Sequence, residues 1–178
     1  MEPKIVEKGQ IILVGFSFYG DPFAESGGWT EENEIGQLWR RFEAFMIGSA
    51  GRIKHIKDPL AGYEIHIWSE ETAAKGHADV FAGMEVEKLE DVPMEVLVKI
   101  LPPTTYAVFT LKGKQAIIDW TKMVYEEWLP GSGYDASAYD YNIQRYDQRY
   151  KGVDRLDESV IEVYVPVKKA EDVPDGDL

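Results

Sequence analysis

Two adjacent glutamates, Glu126 and Glu127, lie among large apolar residues in the segment MVYEEWLPGSGYD, Met123–Asp135. Burying a carboxylate costs free energy unless the group is paired or hydrogen-bonded. In an apolar pocket a carboxylate can attract a cation, accept hydrogen bonds, or act as a base whose pKa is raised by burial. The chemistry of this segment therefore depends on which glutamate faces the interior.

Helical phase separates the two glutamates. Residues Gln115–Leu129 have the apolar spacing of a helix, which Pro130 ends. At about 100° per residue, Glu126 falls on the solvent side, whereas Glu127 falls on the flank of the apolar face, one turn from Met123. Two interpretations of Glu127 stay open: it lines a pocket, or it lies at a fraying helix end and reaches water.

The last predicted strand, Ser159–Lys169, offers a second carboxylate. Alternate residues of a strand face opposite ways, so Glu162 and Tyr164 share one face. The other face carries only aliphatic residues: Ile161, Val163, Val165 and Val167. That aliphatic face is expected to be core, so Glu162 and Tyr164 project together toward solvent or a cleft.

Aromatic residues could supply a stacking surface for a flat ligand, and Trp39 and Tyr63 are the candidates. Aromatic residues at helical spacing are more often plain core, and that alternative stays open. Trp29, in a glycine-rich loop, could cover a cleft or simply anchor the loop.

Composition excludes several classes of protein. The net charge of −13 argues against a nucleic-acid surface, which needs clustered Lys and Arg. The chain has no cysteine, so disulfides and thiol catalysis are excluded. The three histidines, His55, His66 and His77, form no short ligand motif, so neither a metal site nor a cofactor is expected. No signal sequence or membrane-spanning run is present, which predicts a soluble, cytoplasmic protein.

The predicted elements follow the same order twice. A helix covers Ile35 to Met46, after a capped start near Thr30, and a second covers Gln115–Leu129. Strands are predicted at Gln10–Gly20, Ala61–Ser69, Asp79–Leu89, Thr105–Lys114, Tyr139–Tyr150 and Ser159–Lys169. Each half therefore reads strand, helix, strand, strand.

A sequence echo supports a duplication. The tetrapeptide EDVP occurs at Glu90–Pro93 and at Glu171–Pro174, an offset of 81 residues. The same offset maps Trp39 onto Trp120 and places Glu127 where the first copy has a methionine, Met46. We predict one α+β domain of two modules, about 1–95 and 96–178, related by a pseudo-twofold axis, with antiparallel sheets and a ligand cleft at the seam. A non-repeated α+β fold is the alternative.

Five segments carry a resemblance to a known family. They are FAGMEVEKLEDVP (Phe81–Pro93), TYAVFTLKG (Thr105–Gly113), EWLPGSGYD (Glu127–Asp135), IQRYDQR (Ile143–Arg149) and SVIEVYVPVKK (Ser159–Lys169). In this order they resemble the signature of GyrI-like small-molecule-binding domains, over most of the chain from about Ile35 onward. The resemblance implies two strand-helix-strand-strand modules. It also implies an effector-binding role like that found in bacterial regulators of the AraC and MerR types.

Site residues carried over by motif are implied by the same resemblance. They are Glu127 before Trp-Leu-Pro, Glu162 and Tyr164 in the last strand, and Tyr146 before an aspartate. The family often has an acid where this chain has Gln144, which weakens the expectation of a strong preference for cations.

Three functions follow from these observations. The first is a stand-alone protein that binds bulky apolar ligands, cationic ones among them, through Glu127, Glu162, Tyr164, Tyr146, Trp39 and Tyr63. The second is a hydrolase of cyclopropanoid or similar strained electrophiles, with Glu127, Glu162 and Tyr146 as catalytic residues. The third is an acidic protein inhibitor of a gyrase-like enzyme.

The expected partner is a small molecule, with a protein partner or a homodimer as further alternatives. Neither direct contact with nucleic acid nor contact with a membrane is expected. About nine residues precede the first predicted strand, too few for a DNA-binding domain, so the stand-alone form is predicted.

Overall fold

The computed structural model describes residues 2–24, 27–28, 30–48, 51–116 and 119–172. Its strands are β1 Lys4–Lys8, β2 Ile11–Gly20, β3 Gly62–Ile67, β4 Ala78–Val86, β5 Leu97–Leu101, β6 Thr104–Lys112, β7 Tyr134–Asp135, β8 Tyr141–Tyr146 and β9 Val160–Lys169. Its α-helices are α1 Glu34–Gly48, α2 Glu70–Lys75 and α3 Trp120–Lys122. Trp29 and the end of the second EDVP copy lie outside the described residues.

A second helical segment, residues 120–131, changes its hydrogen-bonding pattern along its length. Helix α3 continues as a π-helical stretch, Met123–Trp128, and then as a 3-10 turn, Leu129–Gly131. Further 3-10 turns cover Gly113–Ala116, Val153–Glu158 and Ala170–Asp172. The start of the predicted helix differs, because Gly113–Ala116 is a 3-10 turn and residues 117–118 lie outside the described part of the chain.

The strands form an antiparallel sheet in the order β1-β6-β9-β8-β3-β4-β2-β5, with the short β7 beside β9. The predicted α+β class with an antiparallel sheet is therefore confirmed. The two halves of the chain meet at β3 and β8, where Glu64 pairs with Gln144 and His66 pairs with Asn142. Outward from this boundary the order is β3, β4, β2 in the first half and β8, β9, β6 in the second half. In each half the second of its predicted strands comes first, then the third, then the first.

Helices cover the outer face of the sheet, and side chains of the inner face pack against one another. On the outer face α1 packs over β2 and β4, with Leu38 and Phe42 buried, and the segment 120–131 packs over β6 and β9, with Val124 buried. The inner-face cluster joins residues from both ends of the strand order: Ile11, Leu13, Leu101, Tyr106 and Val108. The sheet therefore curls strongly, which leaves the β3–β8 boundary between the two helical layers on the outer face.

Four elements were not predicted: β1, β5, the two-residue β7, and α2. Strand β1 is the edge partner of β6, and β5 is the edge partner of β2. Each is five residues long and mostly exposed, so neither shows the alternation that marks a half-buried strand. Helix α2 has no buried residue and depends on the Ser69 capping box. Pairing with a neighbouring strand or a helix cap stabilises such elements, and their own residues show little hydrophobic periodicity from which they could be predicted.

Candidate functional site

A partly open cavity of about 1010 Å³ lies on the outer face at the β3–β8 boundary. Its floor is formed by alternate residues of the two strands: Gly62, Glu64 and His66 from β3, and Asn142, Gln144 and Tyr146 from β8. Aromatic walls come from both helical layers and from the chain around them: Trp39, Trp68, Trp120, Tyr125 and Tyr150. The site is thus an apolar hollow with a polar floor, the usual composition of a small-molecule pocket.

Glu64 is the buried acid of this floor, with 4% of its surface exposed. Its Oε2 accepts hydrogen bonds from Trp39 Nε1 at 2.6 Å and from the Tyr146 hydroxyl at 3.2 Å. Its Oε1 lies 2.6 Å from Nε2 of His66. These three groups hold the carboxylate in place and offset part of the cost of its burial.

The rest of the floor extends this network along β8. The hydroxyl of Tyr146 shares its one proton between Glu64 and Oε1 of Gln144, each 3.2 Å away, and Nε2 of Gln144 lies 3.3 Å from Nε2 of His66. Asn142 is 2% exposed, and its Oδ1 has no hydrogen-bond partner among the described residues. The floor therefore contains one hydrogen-bonded acid and one buried amide oxygen that has no partner among the described residues.

Acidic side chains outnumber basic ones among the described residues that line the cavity. Among its described lining residues are four carboxylates, Glu31, Glu43, Glu64 and Asp147, and one guanidinium, Arg40. Burial raises the pKa of the wall residue Tyr150 to about 12, and the charges of three of these glutamates act in the same direction. A site of this sign favours cationic ligands.

The two other cavity phenols are protonated at neutral pH. Burial raises the pKa of Tyr146 well above its ordinary value, and the neighbouring Glu64 raises it further. Burial raises the pKa of Tyr125 to about 12, although a hydrogen bond from Asn142 acts in the opposite direction. The site therefore offers hydroxyl groups and aromatic faces, and its phenols do not supply negative charge.

Of the residues expected at the site, Trp39 and Tyr146 line the cavity. Their rings meet edge to face, with centroids 5.8 Å apart. The others, Tyr63, Glu162, Tyr164 and Glu127, are not among its described lining residues. The structure thus distributes the expected site over three separate surfaces.

Glu162, Tyr164 and Tyr63 lie on the inner face of the sheet. Glu162 forms ion pairs with Arg149 at 2.9 Å and Arg145 at 3.2 Å, and accepts a hydrogen bond from the Tyr164 hydroxyl at 3.0 Å. Burial alone would raise the pKa of Glu162, but the bonds from Arg149 and Tyr164 outweigh it and hold that pKa below its ordinary value. This carboxylate is already paired with cations of its own chain.

Tyr63 belongs to the same inner surface. Its hydroxyl donates to Glu85 at 2.7 Å, and Lys57 pairs with the other oxygen of that carboxylate. The alternation predicted for the last strand is correct, since the aliphatic face of β9 is buried core. Its opposite face points away from the cavity, because the cavity lies on the same side of the sheet as that core.

Glu127 lies on the exposed side of the segment 120–131, as Glu126 does. The phase of about 100° per residue assumed an α-helix, whereas Met123–Trp128 is π-helical, with hydrogen bonds between residues five apart. The wider turn brings Tyr125, Trp128 and Leu129 against the core and turns both glutamates outward. Of the two interpretations of Glu127, the structure has the one in which the side chain reaches water.

Glu64 and Asn142 were missed by the sequence reasoning. The signal was alternation within the predicted strand AGYEIHIWS, Ala61–Ser69, where Tyr63, Ile65 and Ile67 share one face. The other face carries Gly62, Glu64, His66 and Trp68, a polar and aromatic row. Such a row in the middle of a sheet requires either a hydrogen-bonded core or a cleft.

No helix in the part of the chain described is long and apolar enough to span a membrane. The same part contains no group of three or more His, Asp or Glu residues placed to hold a metal ion.

Comparison with known proteins points to one family. The family model Cass2, described as integron-associated effector binding protein, matches residues 4–167. The transcriptional regulator BrlR of Pseudomonas aeruginosa is 31% identical over 169 residues, which are 94% of this chain. The chain spans 56% of the length of that regulator.

Solved structures share the fold at low identity. SAV2435 bound to tetraphenylphosphonium has a TM-score of 0.67 at 16% identity, with 94% of both chains covered. The C-terminal domain of EcmrR gives 0.64 at 16% identity, covering 94% of this chain and 98% of that one. An integron cassette protein of Vibrio cholerae gives 0.56 at 17% identity, covering 94% and 96%.

Proposed function

This chain belongs to the family of integron-associated effector binding proteins, and on that premise we propose that it binds bulky, largely apolar cations in the cavity at the β3–β8 boundary. The observation that carries the proposal is Glu64, a buried acid at the floor of a hollow walled by aromatic rings. In this proposal the domain binds its effector reversibly and releases it chemically unchanged.

The size of the cavity supports a bulky ligand. A volume of about 1010 Å³ lies at the upper end of the roughly 300–1,000 Å³ usual for small-molecule sites. The tryptophan and tyrosine walls offer large apolar surface together with faces that attract cations. Burial of the ligand's rings would supply most of the binding free energy, and the negative charge of Glu64 would favour cations over anions.

Tetraphenylphosphonium and tetraphenylborate form a direct test, because the two ions have nearly the same shape and opposite charge. The first is the ligand of SAV2435, which shares the fold. We expect the cation to bind, measured by isothermal titration calorimetry, and the anion to bind at least tenfold more weakly. Equal binding of the two ions, or no binding of the cation, would contradict the proposal.

Glu64→Gln tests the acid itself. The amide keeps the shape of the side chain and removes its charge, so we expect the affinity for the cation to fall about tenfold or more. Glu43→Gln is the matched control, because Glu43 lines the cavity from an exposed position and should matter far less.

Hydrolysis is the second candidate function, favoured by the 3.2 Å contact between Glu64 and the Tyr146 hydroxyl, which places a base beside a proton donor in the cavity. Glu64 would take a proton from water, whose oxygen would bond to a carbon of a strained ring. The electron pair of the broken ring bond would pass to a conjugated oxygen, which Tyr146 would protonate. One solved hydrolase, from Listeria innocua, shares the fold with a TM-score of 0.55 at 11% identity, covering 94% of this chain and 92% of that one.

Turnover separates the two functions. A hydrolase must form more product than one equivalent of protein, and Glu64→Gln must abolish this while ligand binding remains measurable. If only binding is observed, with the ligand recovered intact, the protein acts by capture alone.

The regulatory setting is also proposed from relatives. BrlR is a transcriptional regulator, and the domain compared in EcmrR is the C-terminal part of a protein whose complex with DNA has been solved. A small-molecule ligand is thus the partner that we propose for this domain, in a cytoplasmic setting, with contact to DNA left to another domain or another protein.

A further inference from the structure

The floor of the cavity holds a histidine directly against its buried acid. Nε2 of His66 lies 2.6 Å from Oε1 of Glu64, and the two side chains are 17% and 5% exposed. Because neither a bare imidazole nitrogen nor a carboxylate oxygen can donate, a contact this short requires a proton on Nε2. His66 is therefore either the neutral imidazole protonated on Nε2 or the imidazolium, and both forms keep the same contact.

The two forms differ by one positive charge beside Glu64. With a neutral imidazole, the negative charge of Glu64 is left to act on a ligand. The imidazolium would neutralise that charge and would repel a second cation nearby. Since His66 and Glu64 both line the cavity, a proton on His66 and a cationic ligand compete for the same negative charge.

The elements packed around His66 bring no other charge as close. Glu64 is the carboxylate at ion-pair distance from the imidazole. Strand β8 contributes the neutral amide of Gln144, and β4 pairs with His66 through Val80. The described lining residues of α2 are uncharged, and the other charged groups that line the cavity are Glu31, Arg40, Glu43 and Asp147.

The remaining titratable groups of the cavity change charge in other pH ranges. Burial raises the pKa of Tyr125 and of Tyr150 to about 12 and that of Tyr146 well above its ordinary value. Hydrogen bonds from Arg149 hold the pKa of Asp147 low. Carboxylates ordinarily titrate near pH 4 and histidines near pH 6.5, so measurements between about pH 5.5 and about pH 8 isolate the imidazole.

We propose that His66 couples the binding of a cation to the release of a proton, so that the cavity loses affinity for cations as the pH falls. The inference rests on the proposed function and deepens it, since Glu64 attracts the ligand and His66 decides whether that charge is available. A bound cation disfavours the imidazolium and displaces its proton. The apparent affinity therefore rises with pH, by a slope equal to the number of protons released.

Tetraphenylphosphonium is the probe, because its charge does not depend on pH. We expect isothermal titration calorimetry to show a Kd about five- to tenfold weaker at about pH 5.5 than at about pH 8, near the limit for one group with the ordinary histidine pKa of about 6.5. Titrations near pH 6.5 in phosphate and in ACES, buffers with different ionisation enthalpies, should show release of a fraction of a proton. His66→Gln keeps a neutral donor beside Glu64 and cannot be protonated, so it should abolish both effects.

A control and a second measurement guard against a folding defect. His77→Gln should keep the pH profile of the wild type, because His77 packs on the ring of Tyr19 and is not among the described residues that line the cavity. If His66→Gln does not fold or does not bind, NMR titration of the His66 ring in the wild type replaces it. The midpoint of that titration should move to lower pH when tetraphenylphosphonium is bound.

The outcomes separate this inference from the proposed function. A Kd that is constant across the pH range, or a midpoint of His66 that does not move with the ligand, overturns the coupling while cation binding stands. The same pH dependence in His66→Gln as in the wild type, with or without a uniform loss of affinity, also overturns it. If tetraphenylphosphonium binds at neither end of the pH range, the proposed function fails and the inference fails with it.

Discussion

The indole of Trp39, on α1, donates a hydrogen bond of 2.6 Å from Nε1 to Oε2 of Glu64, on β3. This bond joins the helical layer of the first half to the floor of the cavity. It fixes the orientation of the carboxylate and of the ring that would stack on a ligand. Together with the contacts from Tyr146 and His66, this bond positions the acid and the neighbouring ring in the site.

Trp39→Phe should lower both stability and affinity. The phenyl ring keeps the apolar contact but removes the donor, and hydrogen bonds to charged groups contribute about 1.5–3 kcal/mol. We expect the free energy of unfolding in urea to fall by about 2 kcal/mol. Trp120→Phe, which changes a cavity indole outside the Glu64 network, should cost less than half as much. Equal losses would show that the indole N–H contributes little.

Gly62→Ala should disturb the same contact from below. A Cβ at Gly62 would lie 2.7 Å from Cη2 of Trp39, so the indole would have to move away from Glu64. We expect the affinity for tetraphenylphosphonium to fall five- to tenfold, about the loss of one hydrogen bond. Gly48→Ala is the control, because nothing lies within 4 Å of a Cβ at that position.

Glu127→Gln should leave ligand affinity within twofold of the wild type. The side chain is exposed and is not among the described residues that line the cavity. A calorimetric titration of tetraphenylphosphonium, run beside Glu64→Gln, provides the comparison. A loss at Glu127 as large as the loss at Glu64 would indicate that the segment 120–131 rearranges when the ligand binds.

Asp147 should make the fold sensitive to acid. Hydrogen bonds from Arg149 hold the pKa of Asp147 well below its ordinary value, although burial opposes them, and Arg145 adds an ion pair at 2.8 Å. A depressed pKa contributes stability that is fully present above the unfolded value of about 3.9 and is lost as the pH falls through the folded value. The free energy of unfolding should therefore decline below about pH 4.

Asp147→Asn tests the assignment of this acid sensitivity. At pH 7 the variant should be about 2 kcal/mol less stable, and the difference from the wild type should shrink toward pH 2. Asp58→Asn is the matched control, since Asp58 also pairs with Arg145 but its side chain is 44% exposed, so its effect should stay below about 1 kcal/mol. Urea denaturation at several pH values measures both. A constant difference at all pH values would assign the loss to packing.

Gly15→Ala should destabilise the sheet. Gly15 pairs directly with Gly83, and a Cβ on Gly15 would lie 2.1 Å from the carbonyl oxygen of Ala82. The strands must separate to admit a methyl group, so we expect a loss of about 3 kcal/mol in the free energy of unfolding. Gly9→Ala, with nothing within 4 Å of the added Cβ, should change stability by less than about 0.5 kcal/mol. Thermal unfolding compares the two variants.

Much of the fold could be predicted because its signals are local. The period of α1 and the alternation of β9 are readable from neighbouring residues, and the structure has both. The edge strands β1 and β5 were missed because their pairing partners lie far away in the sequence and their own residues are mostly exposed.

The sequence by itself determined the α+β class, the repeated order of elements, and the aliphatic faces that must be buried. It could not determine which carboxylate faces the cavity. Glu64 acquires its position from the pairing of β3 with β8, about 80 residues apart, and from an indole on α1. Of the two interpretations left open for Glu127, the structure has the exposed one, in a π-helical turn whose Trp128 and Leu129 pack on the core. Side-chain direction follows local periodicity, but which surfaces meet depends on long-range strand pairing, and only the tertiary structure decided that.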